Sequence, residues 1–188
     1  MTLSDPAAGT DGARHLAREL AAAEPDRYFH ADQYSNPANP LAHYTTTGHE
    51  IWQQTEGRIT HFVAGMGTSG TMMGVGRYLR ERDAAVQLVG VQPDDSQNGI
   101  EGLKHLTTAD APAIYDPGLV DRVAEVSTGE AQAMARLLAR QEGLFVGLSA
   151  GAAVVAALRV ARELPHGVIV MLLPDGGFKY ASAPFWAE

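Results

Sequence analysis

A chain of 188 residues, 45% hydrophobic and 19% charged, can bury one sizeable core and is neither disordered nor fibrous in composition. Its formal charge of -8 opposes a phosphate backbone, with no local cluster of Lys or Arg to offset it, which excludes nucleic acid as a partner. Zero cysteines exclude disulfides, thiolate metal sites and a cysteine nucleophile, and the longest apolar runs, such as 168–173, are far too short to span a bilayer.

Residues 1–30 lack the charged-then-apolar pattern of a leader, so the expected location is the cytoplasm. Ala13, Leu16, Ala17 and Leu20 recur at helical spacing, with Asp11 as the expected cap and Pro25 as the stop. After the polar segment 32–39, Pro40 opens a second helical stretch holding Leu41, Tyr44, Ile51 and Trp52, interrupted near Gly48 and ended by Gly57. Residues 59–64 read as a buried strand, 65–70 as a tight turn, 71–82 as a helix and 86–92 as a strand, which together make a βαβ unit. From 93 to 121 the pattern is irregular, and a loop this long usually serves a site. Residues 122–126 read as a short strand, and Ser127 with Glu130 three residues later makes a capping box for a helix running to about 142. A strand at 145–147, an alanine-rich helix from 149 to about 164, a buried strand at 168–173 and a turn at 174–177 complete the chain. Such alternation predicts an α/β fold, a mainly parallel sheet with helices on both faces and ligands at the carboxyl ends of its strands.

The sharpest local signal is Gly65-Met66-Gly67-Thr68-Ser69-Gly70-Thr71 between a strand and a helix. Glycines let the backbone approach an anion and the helix N-terminus attracts it, so a phosphate is expected there, with the hydroxyls of Thr68, Ser69 and Thr71 as added donors. The competing reading is a plain strand-to-helix turn. A dinucleotide site also fits the glycine spacing, but it needs an acid at the end of the next strand, where Gln92 stands. The second signal is Gly147-Leu148-Ser149-Ala150-Gly151 at another strand-to-helix junction on the same rim. Taken alone Ser149 reads first as a helix cap. A hydrolase nucleophile elbow would require an acid and then a histidine downstream, and only His166, in a surface turn, follows. The seven histidines show no metal-ligand spacing, so no metal is expected, and His43 and His49 read as structural or exposed.

Four motifs in order, the run 33–40 (Gln-Tyr-Ser-Asn-Pro-Ala-Asn-Pro), 67–71, 147–151 and 173–177, resemble the cysteine synthase and cystathionine β-synthase family over essentially the whole chain. The resemblance implies a pyridoxal 5'-phosphate enzyme of fold type II, a three-layer parallel-sheet domain, usually a homodimer, replacing the β-substituent of an activated serine with a sulfur nucleophile. It implies that Gly67, Thr68, Ser69, Gly70 and Thr71 hold the cofactor phosphate, that Ser149 hydrogen-bonds the pyridine nitrogen, and that Pro174 and Asp175 lie near the ring. It further implies that Gln33, Gly99, Ile100 and Gly102 meet the substrate, the last three on a mobile loop. The expected reaction is that of a cysteine synthase, O-acetylserine with sulfide; the alternatives are cystathionine β-synthase, an O-phosphoserine sulfhydrylase, or a non-catalytic phosphate-binding and association module.

The family's Schiff-base lysine and its Ser/Thr-Gly-Asn loop belong to an N-terminal segment of roughly a hundred residues that precedes the part resembled here, so no catalytic residue is expected in this chain. Residues 1–35 are then a remnant of the small domain and 36–188 the large, cofactor-binding domain. The chain's two lysines, Lys104 and Lys179, stand elsewhere and are expected to be solvated.

Overall fold

A computed structural model describes residues 2–5, 8–107 and 110–187. Helix α1 (Gly9–Ala23) carries no buried residue and no side-chain cap; Asp11, expected to cap it, lies instead in its first turn. Helices α2 (Ala38–Thr45) and α3 (Thr47–Gln54) are separated by a single break at Thr46, two residues before the Gly48 where sequence put it. There follow β1 (His61–Gly65), α4 (Gly70–Arg82) and β2 (Gln87–Pro93), the βαβ unit that the pattern predicts. Among the described residues of 94–121 there is no helix or strand. Then come β3 (Arg122–Val126), α5 (Thr128–Leu137), α6 (Leu148–Glu163) and β4 (Ile169–Met171). The capping box of Ser127 and Glu130 is present at the start of α5, whose expected run to 142 ends in a π-helical turn, Leu138–Glu142. The strand expected at 145–147 is reduced to a single bridge between Val146 and Gly176.

The sheet is parallel throughout, in the order β3-β2-β1-β4. Val63 lies level with Val89 on one side and Met171 on the other, so the four strands end at a common rim. Because side chains alternate along a strand, Phe62, Ala64 and Leu88 pack with Met72, Val75 and Leu79 of α4, whereas Val63, Val89 and Val91 pack with Ala152, Ala156 and Val160 of α6. This places α2, α3 and α4 on one face and α5 and α6 on the other, three layers as expected. Phe62, Met72, Leu79 and Leu88 are fully buried, and each such side chain stabilises the fold by about 1.5–3 kcal/mol. Among the described residues no helix is long and apolar enough to cross a membrane.

Candidate functional site

The strand order reverses at β1, with β2 and β3 on one side and β4 on the other, so the connections leaving β1 and β4 diverge and a crevice opens between them. Residues 66–69 turn the chain from β1 into α4. Ser69, the N-cap residue, holds φ +69, and a Cβ at Gly67 would stand 2.1 Å from the carbonyl oxygen of Gly102, so this turn meets the 94–107 loop backbone to backbone. Ser69 is 2% exposed and its Oγ has no partner, an unusual state for a buried hydroxyl. Thr68 Oγ1 accepts from Gly70 N–H (3.3 Å) and from Asn39 Nδ2 (3.1 Å), and Thr71 Oγ1 lies 3.2 Å from His43 Nε2. A rigid glycine-lined turn at the positive end of a helix, with an unpartnered hydroxyl inside it, fits a phosphate.

The facing wall comes from the start of α6 and the 174–177 turn. Gly147 is the N-cap of α6 with no side-chain bond, so Ser149 does not cap the helix. Its hydroxyl donates instead to Asp175 Oδ1 at 3.3 Å, while Tyr180 donates to Asp175 Oδ2 at 2.6 Å. Burial, and then the bonded carboxylate, push the Tyr180 phenol well above its ordinary range. Gly147 is required at its place, because a Cβ there would lie 2.2 Å from Asp175 Oδ1, and its N–H donates to the Asp175 carbonyl at 3.0 Å.

Between these walls lies an open cleft of about 1470 Å³. All the residues singled out from sequence line it: Gly67, Thr68, Ser69, Gly70, Thr71, Ser149, Pro174 and Asp175, with Gln33, Gly99, Ile100 and Gly102. Gln33 is exposed on the rim, its carbonyl accepting from Asn39 Nδ2 at 2.7 Å. The loop that carries Gly99 and Gly102 is pinned at two points. Gly99 N–H donates to Thr128 Oγ1 (2.9 Å), and the Ile100 side chain is 1% exposed within the core.

One expectation is corrected. Lys104 is not solvated: its side chain is 11% exposed on the cleft wall, its ammonium pairs with Asp11 of α1 at 2.5 Å and lies 5.3 Å from the Tyr34 ring, and its N–H donates to the Met66 carbonyl at 2.9 Å. Lys179 is exposed, as expected. Sequence reasoning assigned no role to Asn39, His43 or Tyr180; the spacing of Asn39 and His43, four apart on α2, was the available signal. Among the described residues no three His, Asp or Glu side chains are grouped to hold a metal ion.

Neither rival chemistry has its parts. Gln92, at the end of β2 where a ribose-binding acid would stand, is an amide, 4% exposed and spent on Glu125 (3.2 Å) and Leu106 N–H (3.2 Å). Ser149 is bonded to an acid and not to a histidine. Comparison with known proteins agrees. The chain is 49% identical over 190 residues to a cysteine synthase of Aquifex aeolicus (strain VF5), covering 99% of this chain and 58% of that protein. It is 46% identical to cysteine synthase B of Escherichia coli (strain K12), covering 96% of this chain and 58% of that protein. Among solved structures it superposes on O-acetyl serine sulfhydrylase isoform 3 from Entamoeba histolytica with a TM-score of 0.89 at 34% identity, covering 100% of this chain and 58% of that one. The chain thus spans 58% of the length of these relatives. The family of pyridoxal-phosphate dependent enzymes matches residues 3–175, a stretch that contains the glycine turn, Ser149 and Asp175 alike, and the chain therefore belongs to that family, in its cysteine synthase and cystathionine β-synthase group and with the type II fold.

Proposed function

We propose that these residues form the cofactor-binding part of a cysteine synthase, which replaces the acetoxy group of O-acetylserine, released as acetate, with sulfide and yields cysteine. The observation that carries the reading is the meeting, in one cleft, of a glycine-lined turn with an unpartnered hydroxyl, a serine buried at the start of α6 and the exposed Gln33. The names of the relatives support it.

The site fits pyridoxal 5'-phosphate. Gly67, Thr68, Ser69, Gly70 and Thr71 would hold its phosphate, with backbone N–H groups and three hydroxyls available to donate to a dianion. Ser149 would hydrogen-bond the ring nitrogen, and Pro174 and Asp175 would line the ring's side of the cleft. When bound, the cofactor supplies the electron sink that lets the substrate lose its α-proton and its β-substituent. The protein sets the strength of that sink. A serine hydroxyl, unlike a carboxylate, does not keep a ring nitrogen protonated, and the weaker sink favours elimination over transamination. Ser149 has a proton to offer because its present bond to Asp175, 3.3 Å, is long and readily exchanged. Gln33, exposed on the rim, donates its amide to the substrate carboxylate, and Gly99, Ile100 and Gly102 present backbone to the rest of the substrate.

Two further assignments belong with this reading. Residues 1–35 form a unit apart from 36–188, supported by a helix α1 that buries no residue and meets the rest through the ion pairs Lys104–Asp11 and Arg14–Asp110. The protein works in the cytoplasm and as a homodimer; for the pairing of two chains, the exposure of Phe29 (92%), Phe178 (71%) and Leu41 (58%) offers support.

The test is cysteine formation from O-acetylserine and sulfide by these residues joined to a family N-terminal segment that supplies the Schiff-base lysine, loaded with pyridoxal phosphate. Turnover that saturates in both substrates is expected. A protein that binds the cofactor saturably yet makes no cysteine from this pair overturns the reading.

A further inference from the structure

Helix α2 stands outside the cleft, yet two of its side chains reach the back of the glycine turn. Asn39 and His43 are four residues apart and so share a face. Asn39 Nδ2 bonds Thr68 Oγ1 (3.1 Å), and His43 Nε2 lies 3.2 Å from Thr71 Oγ1 while its Nδ1 lies 3.1 Å from Thr47 Oγ1. The ring has little freedom to sit elsewhere. A Cβ at Gly74 of α4 would fall 2.2 Å from the Pro40 carbonyl oxygen and 2.7 Å from His43 Cβ, so α2 and α4 are in close contact at this point.

The protons decide what the turn offers a ligand. Thr68 Oγ1 accepts from both Asn39 and the Gly70 N–H, so its lone pairs are engaged and its own proton is left for the cleft. For Thr71 the matter rests with His43. A neutral imidazole has one donor nitrogen and one acceptor, and burial pushes the His43 pKa down, which favours the neutral ring. With the proton on Nδ1, the ring donates to Thr47, and Nε2 takes the Thr71 proton, leaving only lone pairs toward the cleft. With the proton on Nε2, Thr47 donates to Nδ1, Nε2–H donates to Thr71, and the Thr71 proton is free for the ligand. A phosphate dianion accepts hydrogen bonds and repels lone pairs, so it stabilises the second arrangement alone.

We propose that His43 is a positioning residue: bound phosphate selects its Nε2–H tautomer, and through that tautomer the Thr71 hydroxyl is turned to donate into the cleft. The proposal rests on reading 67–71 as the phosphate site.

The test labels the histidines of the unsubstituted chain with 15N and compares their nitrogen shifts without ligand, with inorganic phosphate and with pyridoxal phosphate. His43 is assigned by the signal lost in His43→Gln. A pyridine-like Nδ1 and a pyrrole-like Nε2 are expected in the bound state, and the reverse overturns the proposal. A second measurement takes Kd for pyridoxal phosphate in His43→Leu, Thr71→Val and the double variant. Each single change is expected to weaken binding about tenfold, the effect of one hydrogen bond serving a charged acceptor, and the double variant to bind no more weakly than Thr71→Val. His43→Gln, which keeps an amide donor, is expected to recover most of the loss. Independent, additive losses would make His43 a packing residue and overturn the relay. Saturable binding with the wrong tautomer removes the relay alone, whereas no saturable binding of either phosphate to the unsubstituted chain removes the reading of the turn and the relay with it.

Discussion

Ser69 combines two features that each disfavour the fold without ligand. Its φ of +69 is a left-handed conformation that costs a non-glycine residue about 1 kcal/mol, and its buried, unpartnered hydroxyl costs about 1–3 kcal/mol more. A phosphate accepting from that hydroxyl would offset the second term. Ser69→Gly should therefore raise the unfolding free energy of the ligand-free chain by about 1 kcal/mol or more in urea titrations, and weaken pyridoxal phosphate binding about tenfold. A variant that is less stable and binds as before would show the hydroxyl to be structural. None of this strain was legible in sequence, where Thr68, Ser69 and Thr71 stand as equivalent donors. Nor was the difference between the two lysines, because the partner that draws Lys104 into the cleft wall, Asp11, lies 93 residues earlier. Lone polar residues take their surroundings from contacts that no local pattern encodes.

Elements were more legible, and the exceptions have physical causes. Strand β3 stands where the pattern put it, because a short apolar alternation ends at a serine whose capping box starts the next helix. Ser127→Ala should accordingly cost about 1 kcal/mol of stability while leaving cofactor affinity unchanged, the reverse of the outcome expected at Ser69. The segment at 145–147 has the composition of a strand but pairs only through Val146, since the chain on either side is committed to the π-helical turn before it and to the close Gly147–Asp175 contact after it. Helix α1 shows the clearest gap between pattern and packing. Its apolar spacing is genuine, yet no residue is buried, and it is tied to the body by Lys104–Asp11 and Arg14–Asp110. Such tethers weaken as the screening length falls to about 3 Å in 1 M salt. Amide exchange in α1 should speed up in high salt and in Lys104→Met, while exchange in α4 and α6 stays constant. Equal protection of all three helices in salt would mean that apolar contact holds α1.

At the scale of the molecule, the position of the site follows from strand order alone. A parallel sheet whose order reverses at β1 must open a crevice beside that strand, and the two glycine-rich turns read from sequence both fall there. The same architecture half-buries two histidines, His43 on α2 and His61 at the start of β1. Burial lowers the pKa of His43 and of His61, so in each the folded state binds a proton less readily than the unfolded chain. The sign follows: their contribution is fully present above the ordinary value of 6.5 and is lost as pH falls below it toward the lowered values. A second loss begins lower. Glu130, held down first by the Ser127 backbone N–H, and Glu163, held down first by its bond to Arg122, contribute above their ordinary carboxylate range and cease to as they protonate. Unfolding free energies measured from pH 8 down to about 3 should therefore decline in two stages, the first starting near the pKa of an exposed histidine, about 6.5, and the second near that of an exposed glutamate, about 4.3. His43→Gln should shrink the first stage to the share of His61 and leave the second in place. A single decline confined to the carboxylate range would mean that both histidines take up protons in the fold as readily as in the open chain.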